Sequence, residues 1–275
     1  MNRSEAWTEF GDILRSEDKD IDLARAALLI ASTEYPELRV ERELCRIGAL
    51  ADGVVYRFAD EDDPLFHINT LSEYLFDEIQ FRGNHDEYYD PRNSYLNDVL
   101  DRKLGIPITL ALVYIEVGIR AGLPLAGVGM PGHFMVRHRD VPDLIIDPFN
   151  RGILLTEDEC AQRLKEATRA SVLWDAGYLT PISNREFIAR MIRNLKAIYL
   201  RRRDYDRVLM MIDGLLLTQP HMSPERRDRG VVNYRLGNYN EALDDLEAYV
   251  ESGPSVPDGG DVQRLIDQIH GILEK

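Results

Sequence analysis

The chain has 275 residues, of which 44% are hydrophobic and 29% are charged, and its net charge is −15. This length and composition predict one large folded domain with a smaller one, and they argue against a disordered chain. Because nucleic acids and anionic membranes bind proteins mainly through Lys and Arg, the negative charge argues against both as partners.

The chain has two cysteines, Cys45 and Cys160. Their spacing provides neither a zinc ligand set nor a disulfide framework. Residues 1–17 lack the apolar core of a signal peptide, and no segment reaches the roughly 18 apolar residues that span a bilayer. We therefore expect a cytoplasmic protein without a metal or a cofactor.

The first part of the chain is predicted to be mainly helical. Apolar residues recur at helical spacing in four segments, 21–50, 65–81, 95–104 and 108–120. Pro36 interrupts the first segment, and Gly83 follows the second, as expected at a helix C-terminus.

After Pro124 the apolar pattern changes from helical spacing to alternation. Three short runs, 125–130, 133–138 and 144–148, predict strands of one antiparallel sheet. Thr156–Glu159 then has the sequence of a capping box and predicts the start of a helix. Several helices followed by a compact sheet indicate the α+β class rather than alternating βαβ units.

The C-terminal part is predicted to be all α and to contain a repeat. A second capping box at 183–186 opens it. Tyr205, within Arg-Asp-Tyr-Asp-Arg, recurs 34 positions later as Tyr239, within Gly-Asn-Tyr-Asn-Glu. This period resembles tetratricopeptide repeats, with 261–273 as a closing helix. We therefore predict two domains, residues 1–180 and 181–275.

The order of motifs in residues 105–150 resembles the transglutaminase-like core, which has a papain-like fold. In that family a catalytic cysteine begins a helix, the next strand brings a histidine, and the following strand brings an aspartate before a proline. The helix N-terminus stabilises the thiolate, the histidine takes its proton, and the aspartate orients the histidine. The resemblance places His133 and Asp147 in the last two roles.

The cysteine of that family is missing here. The resemblance places it near Pro107 or Ile108, and neither side chain is a nucleophile. Cys45 and Cys160 lie elsewhere in the sequence and have the character of small hydrophobic residues. Thr109 is the only hydroxyl near the start of the right helix, so it is the alternative nucleophile.

The likeness is closest to the SirB-type subgroup of this superfamily and extends over nearly the whole chain. The matching segments are Asp22-Leu-Ala-Arg-Ala-Ala27, Tyr89-Asp-Pro-Arg-Asn-Ser-Tyr-Leu96, Gly105-Ile-Pro-Ile-Thr109, Pro131-Gly-His-Phe134 and Asp147-Pro-Phe-Asn150. The resemblance implies a transglutaminase-like fold without the usual cysteine, followed by repeats, and a role in regulation or assembly.

Several other polar residues are candidates to line a cleft beside His133: Asn93, Asn97, Asn150 and Arg137. Ser94 is interpreted instead as the cap of the helix that follows it. A metal site at His133 and His138 is excluded if both lie in one strand, because residues five apart then face opposite sides. His133 and Asp147 are equally compatible with a purely structural pair.

Two functional hypotheses follow. The first is a non-catalytic scaffold, or pseudoenzyme, that binds a protein or peptide through the repeats or the former catalytic cleft. The second is a hydrolase or amide-transfer enzyme in which His133 and Asp147 activate Thr109 or water. The sequence leaves the partner and the oligomeric state open.

Overall fold

The computed structural model describes residues 2–58, 61–219, 223–251 and 258–274. The chain divides into two compact units, residues 1–191 and 192–275. The division lies inside a long helix, α8 (Asn184–Arg202), whereas the sequence placed the domain boundary just before this helix.

The first unit begins with four helices, α1 (Arg3–Ile13), α2 (Leu23–Ser32), α3 (Val40–Val55) and α4 (Pro64–Ser72). Side chains of Asn2, Asp22 and Asp63 accept backbone N–H groups at three of the N-termini, which satisfies donors that a helix leaves unpaired. The sequence did not predict α1, which buries only Ala6 and Phe10 and therefore has a weak apolar pattern.

The next segments lead to the central helix of the unit. α4 continues into a π-helical turn at Glu73–Glu78, and α5 (Leu96–Arg102) follows. α6 (Pro107–Arg120) starts with a proline at its first position, where the missing N–H has no intrahelical partner to lose. All its residues from Pro107 to Gly118 are buried, because α3 packs on one side and the sheet on another.

The sheet has four antiparallel strands in the order β3 (Leu125–Val128), β4 (Met135–His138), β5 (Ile145–Asp147) and β6 (Ile153–Leu155). The predicted antiparallel sheet is confirmed. β6 was missed because its three apolar residues are too few to show an alternating pattern, and two of them are exposed. A short parallel pair, β1 (Arg82–Gly83) with β2 (Leu104–Gly105), lies directly before α6.

Helix α7 (Glu157–Ala167) begins at the predicted capping box, in which Thr156 and Glu159 satisfy each other's backbone N–H groups. Its buried residues, Cys160 and Leu164, pack on apolar side chains of β3, β4 and β5. Helices around one small antiparallel sheet confirm the α+β class.

The second unit contains the C-terminal half of α8 and four helices, α9 (Tyr205–Thr218), α10 (Ser223–Leu236), α11 (Tyr239–Glu251) and α12 (Gly259–Leu273). Tyr205 and Tyr239 each open a helix, so the 34-residue period of the sequence is a period of helix pairs. Lys196, buried within this unit, contacts the carboxylates of Glu225 and Asp228. In the described parts of the chain, no helix is long and apolar enough to cross a membrane.

Candidate functional site

A histidine just before β4 contacts the aspartate that ends β5. His133 Nε2 lies 2.9 Å from Asp147 Oδ2. Asp147 ends β5 and is fully buried, whereas the His133 side chain keeps 11% of its surface exposed. The prediction of His133 inside a strand was wrong: β4 begins at Met135, and His133 lies in the preceding turn, where its N–H donates to Met130.

Three further groups hold the Asp147 carboxylate. The backbone N–H of Asn150 donates to Oδ1 at 3.2 Å, and its side-chain amide donates to Oδ2 at 2.8 Å. The guanidinium of Arg163 lies 3.3 Å from Oδ2. Burial alone would raise the pKa of Asp147, but the bonds from His133 and Asn150 and the charge of Arg163 lower it below its ordinary value.

The hydrogen bond to the ionised Asp147 fixes which ring nitrogen of His133 carries a proton. A carboxylate only accepts hydrogen bonds, so His133 Nε2 carries the proton and donates it to Asp147. In the neutral imidazole with this tautomer the lone pair is on Nδ1, and no hydrogen bond to Nδ1 is found among the described residues. In chemical terms this nitrogen is available as a proton acceptor.

Phe149 forms the apolar wall beside this pair. Its ring centroid lies 6.2 Å from that of His133 and 4.5 Å from that of His85. A Cβ atom on Gly83 would lie 2.6 Å from the Phe149 ring, so only glycine permits this close approach. Tyr88 completes the group with its ring 6.2 Å from Phe149.

The start of α6 provides no nucleophile. Pro107 is its first residue, and Ile108 is buried. The Thr109 hydroxyl donates to the carbonyl of Asn93 at 2.7 Å and accepts the N–H of Ile106 at 3.1 Å. Its single proton and an acceptor site are thus used to close the helix N-terminus, and the side chain is fully buried.

Neither cysteine is an activated thiol at this site. Cys45 lies on α3 and is exposed. Cys160 is buried on α7 with its sulfur 3.8 Å from the sulfur of Met135. Burial raises the pKa of the Cys160 thiol to about 11, despite the nearby charge of Arg163, so it stays protonated at neutral pH.

The asparagines before α6 have different surroundings. Asn93 is fully buried; its amide donates to the carbonyls of Glu87 and Tyr88, which holds the 84–93 loop together. Asn97 is also buried, and its Oδ1 has no hydrogen-bond partner among the described residues. The prediction that Ser94 caps α5 was wrong, because its hydroxyl is likewise unpartnered and Tyr95 occupies the cap position.

The other two predicted residues, Arg137 and Asn150, make hydrogen bonds that hold neighbouring segments in place. Arg137 donates to the carbonyls of Pro142 and Leu179, and so ties β4 to neighbouring loops. Asn150 orients Asp147, as described above. Sequence reasoning missed Arg163, although Cys160 and Leu164 mark the buried face of α7 next to it.

A metal site finds no support in the described residues, which contain no group of three or more His, Cys, Asp or Glu side chains that could hold an ion. His138 is buried at the end of β4, and its Nδ1 accepts the N–H groups of Asp140 and Val141. This histidine therefore stabilises a turn.

Comparison with known families agrees with the fold. The profile of the transglutaminase-like superfamily matches residues 41–193, and a tetratricopeptide-repeat profile matches residues 195–270. The chain therefore belongs to the transglutaminase-like superfamily and carries a tetratricopeptide-repeat tail.

Individual relatives agree with this family assignment. The chain is 38% identical to a UPF0162 protein of Xylella fastidiosa, over 94% of this chain and 90% of that protein. It is 25% identical to Protein SirB1 of Salmonella typhimurium over 82% of each chain, which confirms the SirB-type resemblance. Human F-box only protein 21 is 30% identical over 48% of this chain and 21% of its own length. No solved structure matches the chain significantly.

Proposed function

We propose that this transglutaminase-like protein is a non-catalytic regulatory scaffold of the cytoplasm that binds a protein or peptide. The observation that carries the proposal is the commitment of the Thr109 hydroxyl to Asn93 and Ile106. It leaves His133 without a side-chain nucleophile at the helix start where the superfamily places one. A covalent acyl intermediate needs such a nucleophile beside its base.

The repeat unit supplies a surface for the partner. A groove of about 200 Å³ is lined by apolar and charged side chains, namely Lys196, Leu200, Tyr205, Val208, Asp228, Val231, Val232 and Arg235. Stacked helical repeats commonly bind extended segments of other proteins along such grooves. Arg235 donates to the hydroxyl of Tyr205 and keeps its guanidinium over that ring, so the groove is preorganised at this end.

Affinity capture with matched variants tests the proposal. The full-length protein is immobilised as wild type, Leu200→Glu and Leu273→Glu, and is exposed to native cell extract. Leu200 lines the groove and is 41% exposed, whereas Leu273 lies on α12 outside it and is 46% exposed. We expect a partner that wild type and Leu273→Glu retain and that Leu200→Glu loses, because a carboxylate in an apolar contact is costly to desolvate.

A His133→Ala variant in the same experiment separates the two candidate surfaces. Loss of the partner from this variant alone would assign binding to the site around His133 and Asp147. Equal retention by all variants would contradict binding at either surface, and retention by none would contradict the scaffold itself.

A hydrolase is the second candidate, and one observation favours it. His133 Nε2 is hydrogen-bonded to the ionised Asp147, and in the neutral ring this tautomer turns Nδ1 into the acceptor that the activation of a water molecule requires. A screen of peptide amides and esters with wild type and His133→Gln tests it. Turnover that disappears in the variant, with unchanged thermal stability, would support the hydrolase and contradict the non-catalytic proposal.

A further inference from the structure

A second cavity lies in the first unit, away from His133. It has a volume of about 360 Å³, within the usual range for small-molecule sites. Its walls come from the last turns of α6, the start of α2, β3 and the start of α8. Because α6 rises about 1.5 Å per residue, its two ends are roughly 20 Å apart, so this cavity and the start of α6 are separate places.

The cavity has a mixed lining, in which apolar side chains alternate with charged ones. The apolar lining side chains are Ile21, Leu23, Ile115, Ile119, Leu125, Ala126, Ile182 and Phe187. Most of them are buried, but Ile119 is 49% exposed and lies at the surface. A cavity that combines apolar side chains with polar groups suits a small organic molecule that has both kinds of surface.

The acidic groups in the wall are already paired inside the protein. Glu116 is buried and contacts the guanidinium of Arg120 one helical turn later. The Asp22 carboxylate accepts the backbone N–H of Arg25 and caps α2. Each carboxylate therefore has an arginine beside it, Arg120 for Glu116 and Arg25, at 4.0 Å, for Asp22.

One cation in the wall has no such partner. The Nε of Arg139 donates weakly to the carbonyl of Leu125 at 3.3 Å, and no carboxylate among the described residues pairs with its guanidinium. Lys19, also in the wall, is a highly exposed side chain that pairs with the equally exposed Glu17. Arg139 is exposed and lines the cavity, and an arginine without a carboxylate partner among the described residues favours an anion there.

We propose that this cavity binds a small amphipathic anion, with a carboxylate held by Arg139 and an aliphatic chain packed between α6 and Phe187. Guanidinium and carboxylate form paired hydrogen bonds, which orient the head group. The apolar wall then removes the chain of the ligand from water. This site is independent of the groove in the repeat unit.

Isothermal titration of the full-length protein tests the site with two probes of equal chain length and opposite charge, sodium decanoate and decyltrimethylammonium bromide. We expect saturable binding of decanoate and none of the cationic probe. Arg139→Glu should weaken decanoate binding at least about tenfold, because it replaces a charged hydrogen-bond donor with a repelling carboxylate.

Two further variants make the result specific. Arg82→Glu makes the same charge reversal on exposed β1, near the start of α6, and should leave binding unchanged. Ile119→Trp should weaken binding by filling the cavity. If Arg139→Glu lowers the melting temperature, Arg139→Gln replaces it. Absent decanoate binding, equal binding of both probes, or equal affinity of the Arg139 and Arg82 variants would overturn the proposal.

Discussion

The side-chain hydroxyl of Thr109 donates to the backbone carbonyl of Asn93 at 2.7 Å, across 16 positions of the chain. The same oxygen accepts the N–H of Ile106, so one buried hydroxyl joins the 84–93 loop to the first turn of α6. Thr109 therefore has the residue type of a possible nucleophile, but its hydroxyl makes the contacts of a helix cap.

Thr109→Val should therefore destabilise the protein. Valine has nearly the same shape but leaves the buried N–H of Ile106 and the carbonyl of Asn93 without a partner, at a cost of about 1–3 kcal/mol. Urea unfolding measures the change, and Thr109→Ser, which keeps the hydroxyl, should lose less. Unchanged stability of Thr109→Val would contradict the capping role.

Asp147→Asn should destabilise the folded state at neutral pH by about 1.5–3 kcal/mol, since bonds to a charged acceptor are replaced. The pKa of Asp147 is lowered in the folded protein. Its contribution to the free energy of unfolding is therefore fully present above the ordinary carboxyl pKa and is lost as the pH falls through the lower pKa of the folded state. The difference between wild type and variant, measured by urea unfolding, should shrink below about pH 4. A difference independent of pH would show that Asp147 is not ionised.

His138 should make the protein sensitive to mild acid. Burial lowers its pKa, with a smaller opposing effect from the charge of Asp140, and Nδ1 must stay unprotonated to accept two backbone N–H groups. Because the unfolded chain binds this proton more readily, the stabilisation is lost as the pH falls below about 6.5.

The matched variant is His138→Asn, whose side-chain oxygen can accept the N–H groups that Nδ1 accepts. Thermal unfolding between pH 7 and pH 5 should show a smaller loss of stability for this variant than for wild type. Parallel curves would contradict the assignment to His138.

Thiol titration tests the absence of an activated cysteine. The folded protein should react with a disulfide reagent at one thiol, Cys45, and the unfolded protein at both, because burial raises the pKa of Cys160 to about 11. Cys45→Ser should abolish the reaction of the folded protein. Rapid reaction of Cys160 in the folded Cys45→Ser variant would instead show an activated thiol near Asp147.

Lys196→Met should destabilise the protein by about 3–5 kcal/mol, because Glu225 would keep a buried and unpaired charge. The double variant Lys196→Met, Glu225→Leu removes that charge and should recover part of the loss. Urea unfolding of wild type, of these two variants and of Glu225→Leu completes a double-mutant cycle and measures the coupling. If Lys196→Met and the double variant lose the same free energy of unfolding, Lys196 stabilises the protein through packing and not through its charge.

Much of the fold could be predicted because its signals are local. The apolar run of α6, the alternating strands, the capping box at Thr156 and the 34-residue repeat each depend on neighbouring residues. Where the local signal was weak or mixed the prediction missed, as for α1, β6 and the π-helical turn at Glu73–Glu78.

The sequence by itself determined the residue types and predicted their roles: the resemblance assigns His133 and Asp147 to the superfamily's histidine and aspartate, and no cysteine stands near Pro107 and Ile108. Only the tertiary structure decided what these residues contact. His133 meets Asp147 from a turn, Arg163 reaches the same carboxylate from α7, and the Thr109 hydroxyl is used by Asn93. The physical reason is that hydrogen-bond partners and burial depend on segments far apart in the chain, which no local pattern records.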